Sequence, residues 1–231
     1  MYNVTMSILC LAWFGLCWFG YTFFAKRQAK KTHCISSVMH RHRISWMTRL
    51  LYRDHFIADT SLLASLARQV TFFASTTMLI LAGLLTVFSA SERLFTILSS
   101  IPGLYPATLL DIQVRLMILV VLFIYAFFTF TWSMRQYAFC SVLMGACPHA
   151  PKGEEINEKN ANYIKNLAKI IDQAGHSYNY GLRSYYFALS MLAWFIHPFA
   201  FVLATTIVVV VLFKREFHSR TLLIMNEIDK P

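Results

Sequence analysis

His197 is the one residue of this chain that titrates near neutral pH inside a long apolar segment. It stands directly before Pro198, which lacks a backbone N–H and frees a carbonyl one turn earlier. An imidazole at this place could ligate a metal or a haem, relay protons, or hydrogen-bond to a neighbouring hydroxyl or to the freed carbonyl. A haem within one protomer would need a second axial ligand, and no other apolar segment contains a histidine. We therefore expect the hydrogen-bonding role and predict no cofactor and no metal.

Three arginines at the borders of apolar segments form a second candidate group. Arg68, Arg135 and Arg183 all fall at cytoplasmic helix ends in the topology derived below. Anchoring at the membrane interface explains an arginine at a helix end in most cases. If the three converged in a bundle or in a ring of subunits, they would instead form an anion-selective vestibule.

Four further histidines, His33, His40, His42 and His55, lie among arginines in the connection after the first apolar segment. Metal sites usually contain carboxylates or thiolates that neutralise the ion. The basic surroundings here would repel a cation. A solvated face, or a surface for anions or lipid headgroups, fits the composition better.

The chain lacks the usual motifs of enzymes. Its five cysteines include no CxxC pair, which argues against zinc or redox chemistry. A phosphate-binding glycine loop, HExxH, GxSxG and paired carboxylates are also missing from the sequence. The apolar segments contain no acidic residue, which weakens the case for a proton- or sodium-coupled transporter. We predict that the protein is not an enzyme.

The positions of the charged residues in the sequence predict the helices on which these candidate residues lie. Every Lys, Arg, Asp and Glu lies outside four apolar segments, residues 5–25, 71–90, 116–134 and 185–213. About 20 uncharged apolar residues suffice to cross a hydrocarbon layer as a helix. The sequence therefore predicts an all-α, single-domain integral membrane bundle of four transmembrane helices.

The basic residues predict an orientation. The connections 26–70 and 135–184 hold nine and six Lys and Arg residues, whereas 91–115 holds two and the tail after Phe213 holds four. Positive-inside counting over four spans places the first and third connections in the cytoplasm and both termini outside, in a bacterial inner membrane. If the last span bends back at His197-Pro198, the C-terminus is cytoplasmic instead. The net charge of +10 is interpreted as contact with anionic headgroups and not with nucleic acid.

Helical patterning continues beyond two of the spans. Apolar periodicity predicts one helix over 54–90 and an extension of the third span over 135–146, ended by Pro148. Thr108 and Asp111 predict an N-terminal cap for that third helix.

A separate amphipathic helix is predicted in the cytoplasmic connection 135–184, ending at Gly175 or continuing towards Gly181. Its charges are balanced, so we expect it to pack on the cytoplasmic extensions and not on lipid. Its apolar face consists of Ile156, Tyr163, Ile164, Leu167, Ile171 and Ala174.

Several of these segments, in this order, resemble the domain-of-unknown-function family 599 over about residues 46–220. They are Thr71-Phe-Phe-Ala-Ser-Thr76, Arg135-Gln-Tyr137, Gly145-Ala-Cys-Pro148, Gly181-Leu-Arg-Ser-Tyr-Tyr-Phe-Ala-Leu189, Trp194-Phe-Ile-His-Pro198 and Arg215-Glu-Phe-His-Ser-Arg220. The resemblance implies a multi-span membrane protein and assigns no reaction and no site residues.

The sequence leaves three functions open. Missing enzyme motifs and spacings of small residues that permit close helix packing favour a non-enzymatic subunit, which assembles with itself or with a larger membrane complex. The alternative is an oligomeric anion-selective pore that uses Arg68, Arg135 and Arg183. A haem- or metal-binding electron-transfer subunit centred on His197 is the third.

Overall fold

The computed structural model describes residues 2–28, 34–149 and 156–228, and these ranges contain helices and no β-strand. The predicted connections 26–70 and 135–184 therefore lie partly outside the described residues, as do His33 and Pro151. The helices are α1 (Tyr2–Gln28), α2 (Ile35–Leu50), α3 (Ile57–Ser89), α4 (Ser91–Ser99), α5 (Leu109–Gly145), α6 (Glu158–Leu192), α7 (Pro198–Phe217) and α8 (Arg220–Ile228).

Four helical segments are long and apolar enough to cross a membrane: Thr5–Ala25, Ile57–Ser89, Leu109–Gly145 and Pro198–Ile228. Large apolar side chains such as Phe19, Phe72, Leu79 and Phe128 are exposed around the bundle. Contiguous exposed apolar surface of this extent is unfavourable in water and is what lipid tails solvate. The predicted all-α integral membrane fold is confirmed.

The predicted extensions of two spans are also present. α3 has 33 residues and α5 has 37, so α5 is about 55 Å long and exceeds the hydrocarbon thickness of about 30 Å. α5 begins at the predicted cap, where Thr108 Oγ1 accepts a hydrogen bond from the Asp111 N–H at 3.2 Å. The Asp111 carboxylate in turn accepts one from the Thr108 N–H at 2.9 Å.

The last predicted span, 185–213, is not one helix, and this prediction was wrong. α6 extends through Gly175 and Gly181 to Leu192, a short 3-10 turn follows at Ala193–Phe195, and α7 begins at Pro198. A residue before proline is driven out of the helical region, and His197 is extended, with φ −158° and ψ 140°. The chain therefore reverses at this point, and the predicted amphipathic helix is the first part of α6.

After the reversal, α7 returns along α6. The Thr205 hydroxyl of α7 donates to the Ser190 hydroxyl of α6 at 3.2 Å. Thr205 is eight residues after His197 and Ser190 is seven residues before it, so the two helices lie side by side. α7 is also parallel to α1, because Phe14 lies 5.6 Å from Phe201 and Phe24 lies 6.1 Å from Phe213, measured between ring centroids. Among the described residues, five helices (α1, α3, α5, α6 and α7) therefore run along the bundle, and the start of α1 and the end of α7 lie at opposite ends.

These two ends are named here by their short helices. The α2 end contains α2, the last turns of α1 and α7, and α8, which packs on α2. The α4 end contains α4, the connection 100–108 and the 3-10 turn. The N–H of Tyr105 in this connection donates to the carbonyl of Ile196, directly after the 3-10 turn, at 3.1 Å. The two predicted cytoplasmic connections, as far as they are described, belong to the α2 end.

Two apolar clusters hold the bundle together. One joins α2, α3, α5 and α6 around Leu63, Phe130 and Ile171, and the other joins α1, α5, α6 and α7 around Phe187 and Trp194. Both depend on the central pair α5 and α6, which run antiparallel along the whole bundle. Polar side chains that these two helices present at the α2 end are therefore held on rigid backbone.

Candidate functional site

A polar pocket of about 690 Å³ opens at the α2 end, where α1, α2, α5, α6 and α7 meet. The middle of α6 supplies half of its wall, because the helix changes there from an amphipathic segment to an apolar one. The lining residues are Ala25, Ser36, Ser37, His40, Trp132, Gln136, Asp172, Gln173, His176, Ser177, Asn179, Tyr180, Arg183 and Glu216.

Asp172 connects α6 to α2 in the wall of this polar pocket. Its side chain is only 11% exposed. The carboxylate forms ion pairs with the guanidinium of Arg43 and with Nδ1 of His40. Gly175 lies beside them, and a Cβ at that position would be 3.0 Å from Arg43 Nη2. The missing side chain therefore leaves room for the guanidinium, and the charge of Asp172 is already neutralised within the protein.

Glu216 makes a second connection to α2, from the end of α7. Its carboxylate accepts hydrogen bonds from the Ser36 N–H at 3.2 Å and from the Ser36 hydroxyl at 2.8 Å. Ser36 lies in the first turn of α2, where unpaired N–H groups and the helix dipole favour a negative charge. This contact fixes the last turn of α7 against α2.

Neutral polar groups form the wall between these two carboxylates. Ser177 donates to Gln136 Oε1 at 3.0 Å, which joins α6 to α5. His176 lies next to them, and the surrounding protein lowers the pKa of its imidazole by desolvation, while the nearby Asp172 carboxylate opposes this shift. We expect a neutral imidazole near pH 7, which offers one donor and one acceptor.

Arg183 is the one predicted site residue that lies in the polar pocket. Its guanidinium lies over the rings of Tyr21 and Tyr180, with distances of 5.2 and 5.5 Å to the centroids. Within the described parts of the chain, no hydrogen bond and no ion pair of Arg183 is found. Stacking on two rings orients the guanidinium and leaves its N–H groups to solvent or to a ligand.

The other two arginines lie elsewhere. Arg68 is exposed on α3. Arg135 is exposed on α5, with its guanidinium 5.8 Å from the ring centroid of Phe139, and lines a different groove. Neither residue lines the polar pocket, so the three arginines predicted as a possible vestibule do not share it.

His197 caps a helix. Its Nδ1 accepts a hydrogen bond from the Phe199 N–H at 3.1 Å, and its ring is exposed at the α4 end, 5.2 Å from that of Tyr105. The expected bond to a freed carbonyl or hydroxyl in the bundle interior is not formed, because the helix ends at this point and is not merely kinked. No group of three or more His, Cys, Asp and Glu side chains suited to a metal occurs in ranges 2–28, 34–149 and 156–228.

Sequence reasoning missed most of the polar pocket, including Asp172 and Glu216, and placed His40 only on a solvated face or a surface for anions or lipid headgroups. A partial signal was available in residues 172–180, where seven of nine residues are polar or aromatic with a polar group and the apolar periodicity of α6 is interrupted. Their partners lie 132 and 180 residues away along the chain, so no local spacing connects them.

The helices and the pocket together define an all-helical integral membrane protein with a polar pocket at one end of the bundle. The chain belongs to the family described as "Protein of unknown function, DUF599", whose sequence model covers residues 9–221. No match was found among curated proteins or among solved structures.

Proposed function

We propose that this protein is a non-enzymatic integral membrane protein that binds a small molecule with an anionic group in the polar pocket at the α2 end. Arg183 is the observation that carries the proposal. It is the cation of the pocket that forms no ion pair within the described residues: Asp172 is paired with Arg43 and His40, and Glu216, which keeps its negative charge, is hydrogen-bonded to Ser36.

The size and lining of the pocket agree with a ligand of metabolite size. Small-molecule pockets in proteins usually have volumes of about 300–1,000 Å³ and a few convergent polar groups, and this one has about 690 Å³. Gln136, Gln173 and Asn179 offer both donors and acceptors, and Trp132 and Tyr180 offer aromatic surface. A guanidinium pairs best with a carboxylate or a phosphate, so a ligand of that class is favoured.

A thermal-stability assay on the purified protein in detergent tests the proposal. L-glutamate and glycerol 3-phosphate serve as anionic probes, and glycerol serves as the uncharged control. We expect an anionic probe to raise the Tm of the wild-type protein in a saturable manner.

Two matched variants locate the effect. Arg183→Gln should abolish the rise in Tm, whereas Arg135→Gln, which removes a nearby arginine outside the pocket, should keep it. If neither anionic probe stabilises the wild-type protein more than it stabilises Arg183→Gln, the proposal is wrong.

For the orientation, we propose that the α2 end faces the cytoplasm. The described parts of segments 26–70, 135–184 and 214–231 belong to this end, and by sequence these segments hold nine, six and four Lys and Arg residues. Among the described residues, Arg93 and Arg115 belong to the α4 end. This asymmetry follows the positive-inside rule more closely than the four-span topology did. The N-terminus is then outside and the C-terminus inside, in place of two outer termini.

Reporter fusions test this orientation. Green fluorescent protein at the C-terminus should fluoresce, because it folds in the cytoplasm, and alkaline phosphatase at the same place should be inactive. The reverse pair of results would overturn the orientation without affecting the proposed ligand site.

Assembly as an accessory subunit and an oligomeric anion pore stay predictions from the sequence. Arg68 and Arg135 do not line the polar pocket with Arg183, which gives the pore no support, and the capping role of His197 gives none to an electron-transfer subunit.

A further inference from the structure

A second, smaller pocket of about 210 Å³ lies at the α4 end, separate from the polar pocket. It is enclosed by α4, the connection 100–108 and the first turns of α5, and Phe195 of the 3-10 turn closes one side. Most of its lining residues are apolar, and Ser99, Tyr105 and Arg115 are the members with polar side chains. We call it the Arg115 pocket.

Arg115 is almost completely buried, with 3% of the residue exposed. One of its guanidinium nitrogens, Nη1, donates to the Trp194 carbonyl at 2.9 Å. The guanidinium also lies 5.0 Å from the ring centroid of Trp194 and 5.9 Å from that of Phe195. Its Nε is buried without any acceptor.

The charge of Arg115 has no carboxylate partner among the described residues. Asp111 is one turn earlier on α5 and attracts the guanidinium, but its carboxylate is hydrogen-bonded to the N–H and hydroxyl of Thr108 at 2.9 and 2.8 Å and forms no ion pair with Arg115. Burying a cation without a carboxylate in contact is costly, and the stacked rings and Asp111 offset only part of this cost. An anion in the Arg115 pocket would supply both the missing acceptor and a negative charge in contact with the guanidinium.

The orphaned nitrogen indicates which anion fits. In a guanidinium, Nε and Nη2 form the side edge, which binds two oxygens of one oxyanion in parallel. Nη1, which is already bonded to Trp194, is not part of that edge. The volume of the pocket corresponds to several water molecules, enough for a phosphate or carboxylate group but not for a large metabolite.

We propose that the Arg115 pocket binds one oxyanion of the phosphate or carboxylate class through the Nε edge of Arg115. The oxyanion comes either from solution or from the phosphate of a phospholipid headgroup. This site is independent of the polar pocket, since the two lie at opposite ends of the bundle.

Phosphate titration of the whole protein tests the proposal. The protein is purified in phospholipid-free detergent, sodium phosphate is titrated at constant ionic strength with sodium chloride, and the heat of binding is measured. Native mass spectrometry of the protein extracted from bilayers then detects any retained phospholipid. Saturable phosphate binding indicates an anion from solution, and retained phospholipid that phosphate does not displace indicates a headgroup, so either result supports the site.

The variants assign the binding to Arg115. Arg115→Gln should weaken phosphate binding at least tenfold or remove the retained phospholipid, whereas Arg93→Gln, an exposed arginine at the same end, should change neither. If Arg115→Gln does not fold, Ala107→Phe decides the question, because Ala107 lines the pocket and a phenyl ring there fills it while Arg115 is kept. If the wild-type protein shows neither phosphate binding nor a retained phospholipid, the proposal is wrong. It is also wrong if the binding that the wild-type protein shows persists in Ala107→Phe when Arg183→Gln removes the cation of the polar pocket as well.

Discussion

Arg43 of α2 donates to the carboxylate of Asp172 of α6, and this ion pair spans 129 residues of sequence. α2 lies outside the apolar spans and is attached to the bundle largely through such polar contacts, together with its apolar side chains Val38, Met47 and Leu50. The pair therefore positions a peripheral helix over the polar pocket. Its loss should affect both the stability of the protein and the shape of the pocket.

Replacing Asp172 by Asn should destabilise the protein by about 2 kcal/mol, because charge-assisted bonds to Arg43 and His40 are lost in a mostly buried position. The free energy of unfolding in detergent, measured by denaturant titration, provides the check. Glu158→Gln at the exposed start of α6 serves as the control and should change it by less than about 0.5 kcal/mol. Equal stabilities of the two variants would contradict the structural role of the pair.

Gly181 is required where α6 crosses α5. A Cβ at this position would lie 2.4 Å from Cε1 of the fully buried Phe130 ring, so one of the two must move. Gly181→Ala should cost about 2 kcal/mol through overpacking. The double variant Gly181→Ala with Phe130→Leu should recover part of that loss if the clash with the ring is the cause.

Gly83 supplies the matched control for that substitution. It is also inside a long helix, but nothing lies within 4 Å of a Cβ built there. Gly83→Ala should stabilise the protein by about 0.5 kcal/mol, because alanine is the better helix former. A similar loss of stability in Gly83→Ala and Gly181→Ala would show that the contact with Phe130 does not cause the effect at Gly181.

His197→Ala should destabilise the protein by about 1 kcal/mol, because the Phe199 N–H loses its acceptor at the start of α7. His197→Asn should be close to neutral, since asparagine is a preferred N-cap residue. The same denaturant titration distinguishes these outcomes. A metal-binding or haem-binding role would predict that Asn is as damaging as Ala.

The pH dependence of stability should contain a contribution from His176. Desolvation holds the pKa of this imidazole below its ordinary value of 6.5, with Arg43 and Arg183 acting in the same direction and Asp172 and Glu216 opposing. The protonated form is thus penalised in the folded state, so stability is lost as the pH falls through about 6.5. Between pH 7 and pH 5 the Tm should fall less in His176→Asn than in the wild-type protein.

His55→Asn provides the comparison for the pH experiment, since His55 is exposed in the segment between α2 and α3. Its pH profile should match that of the wild-type protein. A profile of His176→Asn that is as steep as the wild-type one would show that His176 does not titrate differently in the folded state.

The long helices were predictable because their signals are local. Three of the predicted features depend on residues within a few turns of one another: the apolar pattern of α3, the continuation of α5 beyond its span, and the cap at Thr108. The end of the last span was not predictable from hydropathy. Residues 185–213 are almost uniformly apolar, and a hydropathy profile does not show where the chain reverses. Pro198 is the correct signal, because it predicts the alternative in which the chain bends back at His197-Pro198.

The polar pocket could be predicted only in part. Arg183 stood out because it borders an apolar segment, whereas Glu216 and Asp172 resembled ordinary solvated acids in their local sequence. Their importance comes from packing of distant helices, which brings Ser36 to Glu216 and Arg43 to Asp172. The short helices α2, α4 and α8 were also missed by the sequence analysis.

α6 is one unbroken rod of 35 residues, about 52 Å long, that reaches from the α2 end to the turn beside Arg115. Its part at the α2 end supplies Arg183 and Asp172 to the polar pocket, and the turn that follows its other end supplies the Trp194 carbonyl that holds Arg115. One uninterrupted helix therefore fixes the spacing between the two pockets at opposite ends of the bundle.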